Sequence, residues 1–334
     1  MFSPLVRIVY TMLIRPQTTV CIAFWLLILG AVPVSARGYV VSPAETDRAI
    51  RSALSDHYAV VNPWVARRGV LFLFFPGTNS RAMNYKMLCE TAADRGFHAI
   101  SLQYVNDVSV YNKCAKSRNL ECYENMRREV LFGADFSPHV GVSRPNSAEN
   151  RLVKLLRYLA DQYPLDGWEQ YLTAGDVPRW SRILVAGHSQ GGGHAALLGK
   201  YYSTAGVIMF ASMDYSYMHD RAGQWVEKRG NTRIEKFFAV AHTLDEVMPI
   251  TAVRKYWNAF GFKNVGPVIN IDDVGFPYAN SNTLITSMKS AKQDKDRYVY
   301  HNMLCMDADT PLLKDGKPAL YDLWVYLLNA PFER

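Results

Sequence analysis

Apolar runs and helical periods alternate along most of this chain. Val70-Leu-Phe-Leu-Phe-Phe is apolar at every position, the pattern of a strand covered on both faces. Further strand-like runs occupy 57–61, 97–104, 183–186, 206–212, 237–241 and 267–271, the last being the expected final strand. Helical spacing separates them. Residues 82–95 read as a helix with Gly96 past its end, and Leu152, Leu155, Leu156 and Leu159 mark a second helix starting near Asn146. Residues 320–328 read as a closing amphipathic helix. This alternation predicts the α/β class, a mostly parallel central sheet with helices on both faces.

Two stretches break the rhythm and read as insertions in a single domain spanning 37–334. Residues 106–145 are polar and carry Cys114 and Cys122, while 213–232 carry Tyr215, Tyr217 and Trp225. That aromatic group is expected either to wall a substrate pocket or to pack beneath a long loop. Residues 1–36 have the form of a signal peptide: Arg7 and Arg15 lead, 19–34 are apolar, and Val34-Ser-Ala gives small residues before Arg37. A secreted or periplasmic protein is expected, with membrane attachment only if that segment stays uncleaved.

Losing Arg7 and Arg15 lowers the formal charge from +7 to +5. The densest basic group (Lys289, Lys292, Lys295 and Arg297) is broken by Asp294 and Asp296, which speaks against a nucleic-acid surface. Four cysteines remain outside the leader. In an oxidising compartment the expected pairs are Cys114–Cys122, across a short polar loop, and Cys89–Cys305.

The chemistry concentrates at Gly187-His-Ser-Gln-Gly191. A β-branched run precedes it and small residues at helical spacing follow, the strand–turn–helix setting in which G-x-S-x-G forms a nucleophile elbow. A Cβ at Gly187 or Gly191 is expected to collide with the neighbouring strand or helix. The Gln190 N–H, at the start of the helix, is placed to face an oxyanion.

On these residues the chain resembles the α/β-hydrolase superfamily over roughly 55–330. In that superfamily the nucleophile precedes the acid and the acid precedes the histidine, so the resemblance directs attention downstream of Ser189. It implies Asp245 as the acid, in a loop similar to the family's G-x-x-D-x-x-V-P pattern, with His242 replacing the usual glycine. Asp214, Asp272 and Asp273 remain alternatives, and Glu246 is a weaker neighbour. His301 is implied as the base: His57, His98 and His139 precede the serine, His188 and His194 flank it, and His219 and His242 precede or adjoin the acid. His188 reads as a packing residue of the elbow. The loop Pro76-Gly-Thr-Asn79 is expected to provide the second oxyanion donor, Thr78 before Asn79.

The resemblance thus implies a serine hydrolase acting on small or polymeric carboxylic esters through Ser189, His301 and Asp245. The alternatives are a peptidase, amidase or lipase on the same triad, or a binding protein on a hydrolase scaffold. No zinc-type Cys/His spacing and no phosphate-binding glycine loop occur, so neither a metal nor an organic cofactor is expected.

Overall fold

The computed structural model describes residues 36–292 and 298–334. The leader, apart from Ala36, and the centre of the basic group at Lys295 and Arg297 lie outside the described residues. The strands are β1 (Arg37–Val41), β2 (His57–Val61), β3 (Leu71–Phe75), β4 (His98–Ser101), β5 (Ile183–His188), β6 (Gly206–Phe210), β7 (Tyr215–Ser216), β8 (Arg221–Ala222), β9 (Phe237–His242), β10 (Val268–Asn270) and β11 (Thr283–Thr286). The α-helices are α1 (Pro43–Thr46), α2 (Lys86–Ala93), α3 (Val110–Cys114), α4 (Cys122–Phe132), α5 (Ala148–Gln162), α6 (Gln190–Tyr201), α7 (Ile250–Phe260), α8 (Val299–Asn302) and α9 (Tyr321–Asn329).

Nine strands form one sheet in the order β1-β2-β4-β3-β5-β6-β9-β11-β10. β1 and β2 run antiparallel to their neighbours, and every other pairing is parallel. The continuous apolar strands follow from coverage on both faces, because successive side chains point to opposite sides. Leu71, Leu73 and Phe75 enter one apolar layer with Leu155, Leu156 and Leu198 of α5 and α6. Phe72 and Phe74 enter the other, with Leu88 of α2 and Leu323 of α9. β5, β6 and β9 divide the same way, so the expected α/β class is the observed one.

Several sequence expectations change. The final strand is β11, which inserts between β9 and β10 and leaves β10 at the sheet edge. The C-terminal helix is not amphipathic: Leu323 to Leu328 are all buried, in the layer that the helix shares with α2 on one face of the sheet. The helix near 82–95 opens with a 3₁₀ turn, Ala82–Tyr85, before α2. Cys114 and Cys122 form a disulfide. Cys89 and Cys305 instead remain free thiols, fully buried in the layer with Leu304 and Trp324, where they pack as small apolar side chains.

Candidate active site

The C-terminal ends of the parallel strands deliver the chemically able residues to one side of the sheet, where such folds place their ligands. Ser189 follows β5 directly. Its backbone has φ 54° and ψ −117°, a conformation that costs a non-glycine residue on the order of 1–3 kcal/mol. The turn is held there from both sides. The Ser189 N–H donates to the Phe210 carbonyl of β6 at 2.8 Å, and the first turn of α6 closes through Gly192 N–H to Ser189 O at 3.1 Å. A Cβ on Gly187 would lie 2.3 Å from the Gly191 carbonyl, and one on Gly191 would lie 2.0 Å from the carbonyl oxygen of Phe75. No rotamer relieves a contact with backbone, so only glycine lets the elbow close against β3.

His301 lies on the short helix α8, beyond β11, and Asp245 in the loop after β9. The His301 Nδ1 sits 2.8 and 3.0 Å from the two carboxylate oxygens of Asp245. The Asp245 Oδ1 also accepts the N–H groups of Val247 and Met248 at 2.8 Å each. The carboxylate is therefore fixed in direction, and its side chain is only 1% exposed. Glu246, next in sequence, grips α8: its carboxylate accepts the N–H of Tyr300 at 3.0 Å and of His301 at 2.9 Å. Ser189 and His301 share a cleft of about 990 Å³ with Thr78, Gln190, Met213 and Glu246.

The loop after β3 brings Gly77 and Thr78 to the same cleft. Its carbonyl groups are satisfied from behind, Pro76 O by the Tyr104 hydroxyl at 2.7 Å and Gly77 O by Asn106 Nδ2 at 2.6 Å. Among the described residues no acceptor engages the amide N–H of Thr78 or of Gln190. The two side chains tie the loops together, since the Thr78 hydroxyl donates to Gln190 Oε1 at 3.0 Å. Asn79 also lines the cleft, but its N–H is taken up by Asn106 O.

The other acidic residues weighed from sequence lie elsewhere. Asp214 is fully buried and pairs with Arg127 of α4, whose guanidinium also donates to the Gln190 carbonyl at 2.7 Å. Asp272 accepts from Thr286 and Ser287, and Asp273 from Asn270; neither reaches His301. The aromatic group divides. Trp225 is buried and donates to Asp214 at 2.9 Å, and Tyr215 is buried with its hydroxyl on Asp220. Both belong to the packing beneath the loop, not to a cleft wall. Tyr217 is 42% exposed and accepts from Tyr111 at 3.3 Å; of that pair, Tyr111 lines the cleft.

Sequence reasoning passed over Arg127, and no signal in the chain marks it, because its partners lie 63 and 87 positions away. A buried, hydrogen-bonded ion pair is costly to break from one side, since the remaining charge has no partner. Arg127→Met is expected to lose about 3–5 kcal/mol. Adding Asp214→Leu should restore part of that loss, a coupling that urea denaturation of the two variants measures.

Sheet order and elbow together define an α/β-hydrolase fold. Neither a protein-family model nor a curated protein sequence matches the chain. One solved structure similar to it is a crystal structure of a "Putative Dienelactone Hydrolase" from Klebsiella pneumoniae, at 11% identity and a TM-score of 0.40, over 77% of this chain and 87% of that one.

Proposed function

We propose that this chain is a serine hydrolase that cleaves carboxylic esters through an acyl-enzyme. The observation that carries the reading is the Asp245–His301 pair facing the cleft that holds a strained, partly exposed Ser189. His301 Nε2 takes the Ser189 hydroxyl proton as Oγ bonds to the ester carbonyl carbon. The carbonyl oxygen becomes an oxyanion held by the Thr78 and Gln190 N–H groups. As it collapses, the carbon–oxygen bond to the alcohol breaks, and His301 gives its proton to the departing alkoxide. Water then repeats the cycle on the acyl-enzyme, releasing the acid and regenerating Ser189. Asp245 keeps the imidazole proton on Nδ1 throughout and stabilises the imidazolium.

The Cys114–Cys122 disulfide supports the further reading that the protein works in an oxidising compartment, secreted or periplasmic. Its partner there is an ester substrate, small or polymeric.

A fluorophosphonate probe tests the proposal. The expected result is one labelled peptide, carrying Ser189, that disappears in Ser189→Ala. Folded wild-type protein that takes no label while hydrolysing no ester would turn the reading toward a binding protein on the same scaffold.

A further inference from the structure

The residue before the nucleophile is joined to all three parts of the proposed machinery. His188 is 2% exposed and Tyr85, at the end of the 3₁₀ turn before α2, is fully buried. The Gly77 N–H reaches the Tyr85 hydroxyl oxygen at 3.1 Å. That hydroxyl lies 2.9 Å from His188 Nδ1, and His188 Nε2 lies 2.9 Å from the main-chain carbonyl of His301.

Only one arrangement of protons satisfies this chain. A carbonyl can only accept, so His188 must carry its proton on Nε2. Its Nδ1 is then an acceptor, which requires Tyr85 to donate to it, and the phenol oxygen is left free to accept from Gly77. The groups stay in those protonation states. Burial foremost, with the nearby His301 adding to it, pulls the His188 imidazole down to about 3, and burial likewise raises the Tyr85 phenol well above its usual value. Aligned bonds of this kind polarise one another and act as a unit.

The consequence is geometric. Gly77 adjoins Thr78, a proposed oxyanion donor, while the far end of the chain holds the backbone of the proposed base. The His301 backbone is then held at both of its polar groups, the N–H by Glu246 and the C=O by His188. The fit at the near end is tight, because a Cβ on Gly77 would lie 2.9 Å from His188 Nδ1. The imidazoles of His188 and His301 lie 4.8 Å apart, centroid to centroid.

We infer that Tyr85 and His188 form a positioning relay that sets the oxyanion loop and the general base in register across the nucleophile. Neither side chain hydrogen-bonds the side chain of Ser189, Asp245 or His301; their partners are the Gly77 N–H, each other and the His301 carbonyl. The inference rests on the serine-hydrolase reading and deepens it, since the relay matters only if both ends act on one substrate.

Tyr85→Phe removes a single oxygen and keeps the ring. For an ester substrate, kcat is expected to fall about 10- to 100-fold, the scale of small misplacements of catalytic groups, with KM within about two-fold. The rate of fluorophosphonate labelling at Ser189 should fall in parallel. A purely structural role would lower thermal stability without this kcat-against-KM split. Wild-type kcat and labelling rate in a folded Tyr85→Phe would overturn the relay while leaving the serine-hydrolase reading intact. Wild-type protein that never labels at Ser189 would overturn that reading instead.

A measurement on the unmodified protein guards against misfolding of the variant. Nitrogen-15 NMR should find His188 as the neutral Nε2–H tautomer from pH 8 to pH 5. Finding the Nδ1–H tautomer would overturn the relay.

Discussion

Replacing Ser189 or His301 by alanine should lower kcat for ester hydrolysis by about a million-fold, and replacing both should cost little more than either alone. Non-additivity is the sharper part of this expectation. Once either partner is gone, the other has no proton transfer left to assist. Asp245→Asn is expected to cost about ten-thousand-fold, for a reason visible in its surroundings. Asp245 Oδ1 accepts two backbone N–H groups, so an amide at this position must put its oxygen there. Its NH₂ group would then take the place of Oδ2 and face His301 Nδ1. Facing a donor, Nδ1 becomes an acceptor and the ring proton moves to Nε2, where a base needs a lone pair. Steady-state kinetics of the three single variants and the Ser189→Ala/His301→Ala pair check this. Independent losses that multiply would mean the residues do not act together, and an Asp245→Asn enzyme near wild-type activity would remove Asp245 from the mechanism.

What the chain disclosed in advance was mostly what backbone and burial encode locally. β3 was legible because burial on both faces leaves no polar position in its run, and the elbow because three constraints meet within five residues. β11 was not. Thr283-Leu-Ile-Thr has only two apolar residues, and its threonines are buried at 1% and 0% with little in the sequence to mark them as interior. β1 is an edge strand with Val40 outward, so its pattern is incomplete beside the apolar leader. The aromatic residues at 215–225 have the composition of a pocket wall and of a core alike. What separates the two is the indole N–H of Trp225 on Asp214, a contact that sequence spacing does not encode. Ser189 came from the elbow motif itself, and Asp245 and His301 from chain order in a resemblance. The contacts that steady their surroundings, from Tyr85 to Gly77 and His188, from Arg127 to Gln190 and from Glu246 to His301, are products of the tertiary fold and were invisible until it was known.

The other large expected effect is loss of stability in mild acid. Five imidazoles, His57, His98, His188, His194 and His242, are buried, and burial is in each the leading cause of a lowered basicity. Neighbouring cations add to it: Arg151 near His57, Arg127 near His194 and, once protonated, His301 near His188. His57 and His188 are pulled down to about 3, and His194 well below its usual value. A depressed value means that the folded state binds the proton less readily than the unfolded chain does. The stability these residues allow is present above the unfolded value, about 6.5, and is lost as pH falls through the window from there towards 3. Between pH 7.5 and pH 5 His57 and His188 each contribute a loss of about 2 kcal/mol, and His98, His194 and His242 add to it in the same direction. The sum is a large part of the stability of an ordinary domain. Asp307 acts in the opposite direction. Burial raises it to about 6, against two backbone N–H bonds from Met87 and Lys86, so its protonation favours the folded state over the upper part of the same window. One carboxyl does not offset five imidazoles. Urea unfolding at pH 7.5, 6 and 5 should show the midpoint falling steeply with acidity. His57→Asn, whose side-chain oxygen can still accept the Gln103 N–H, should flatten that slope, removing about 2 kcal/mol of the change between pH 7.5 and pH 5. A midpoint that holds steady from pH 7.5 to pH 5 would mean that these rings find protons in the folded state, and with a protonated His188 the bond to Tyr85 would have to reverse.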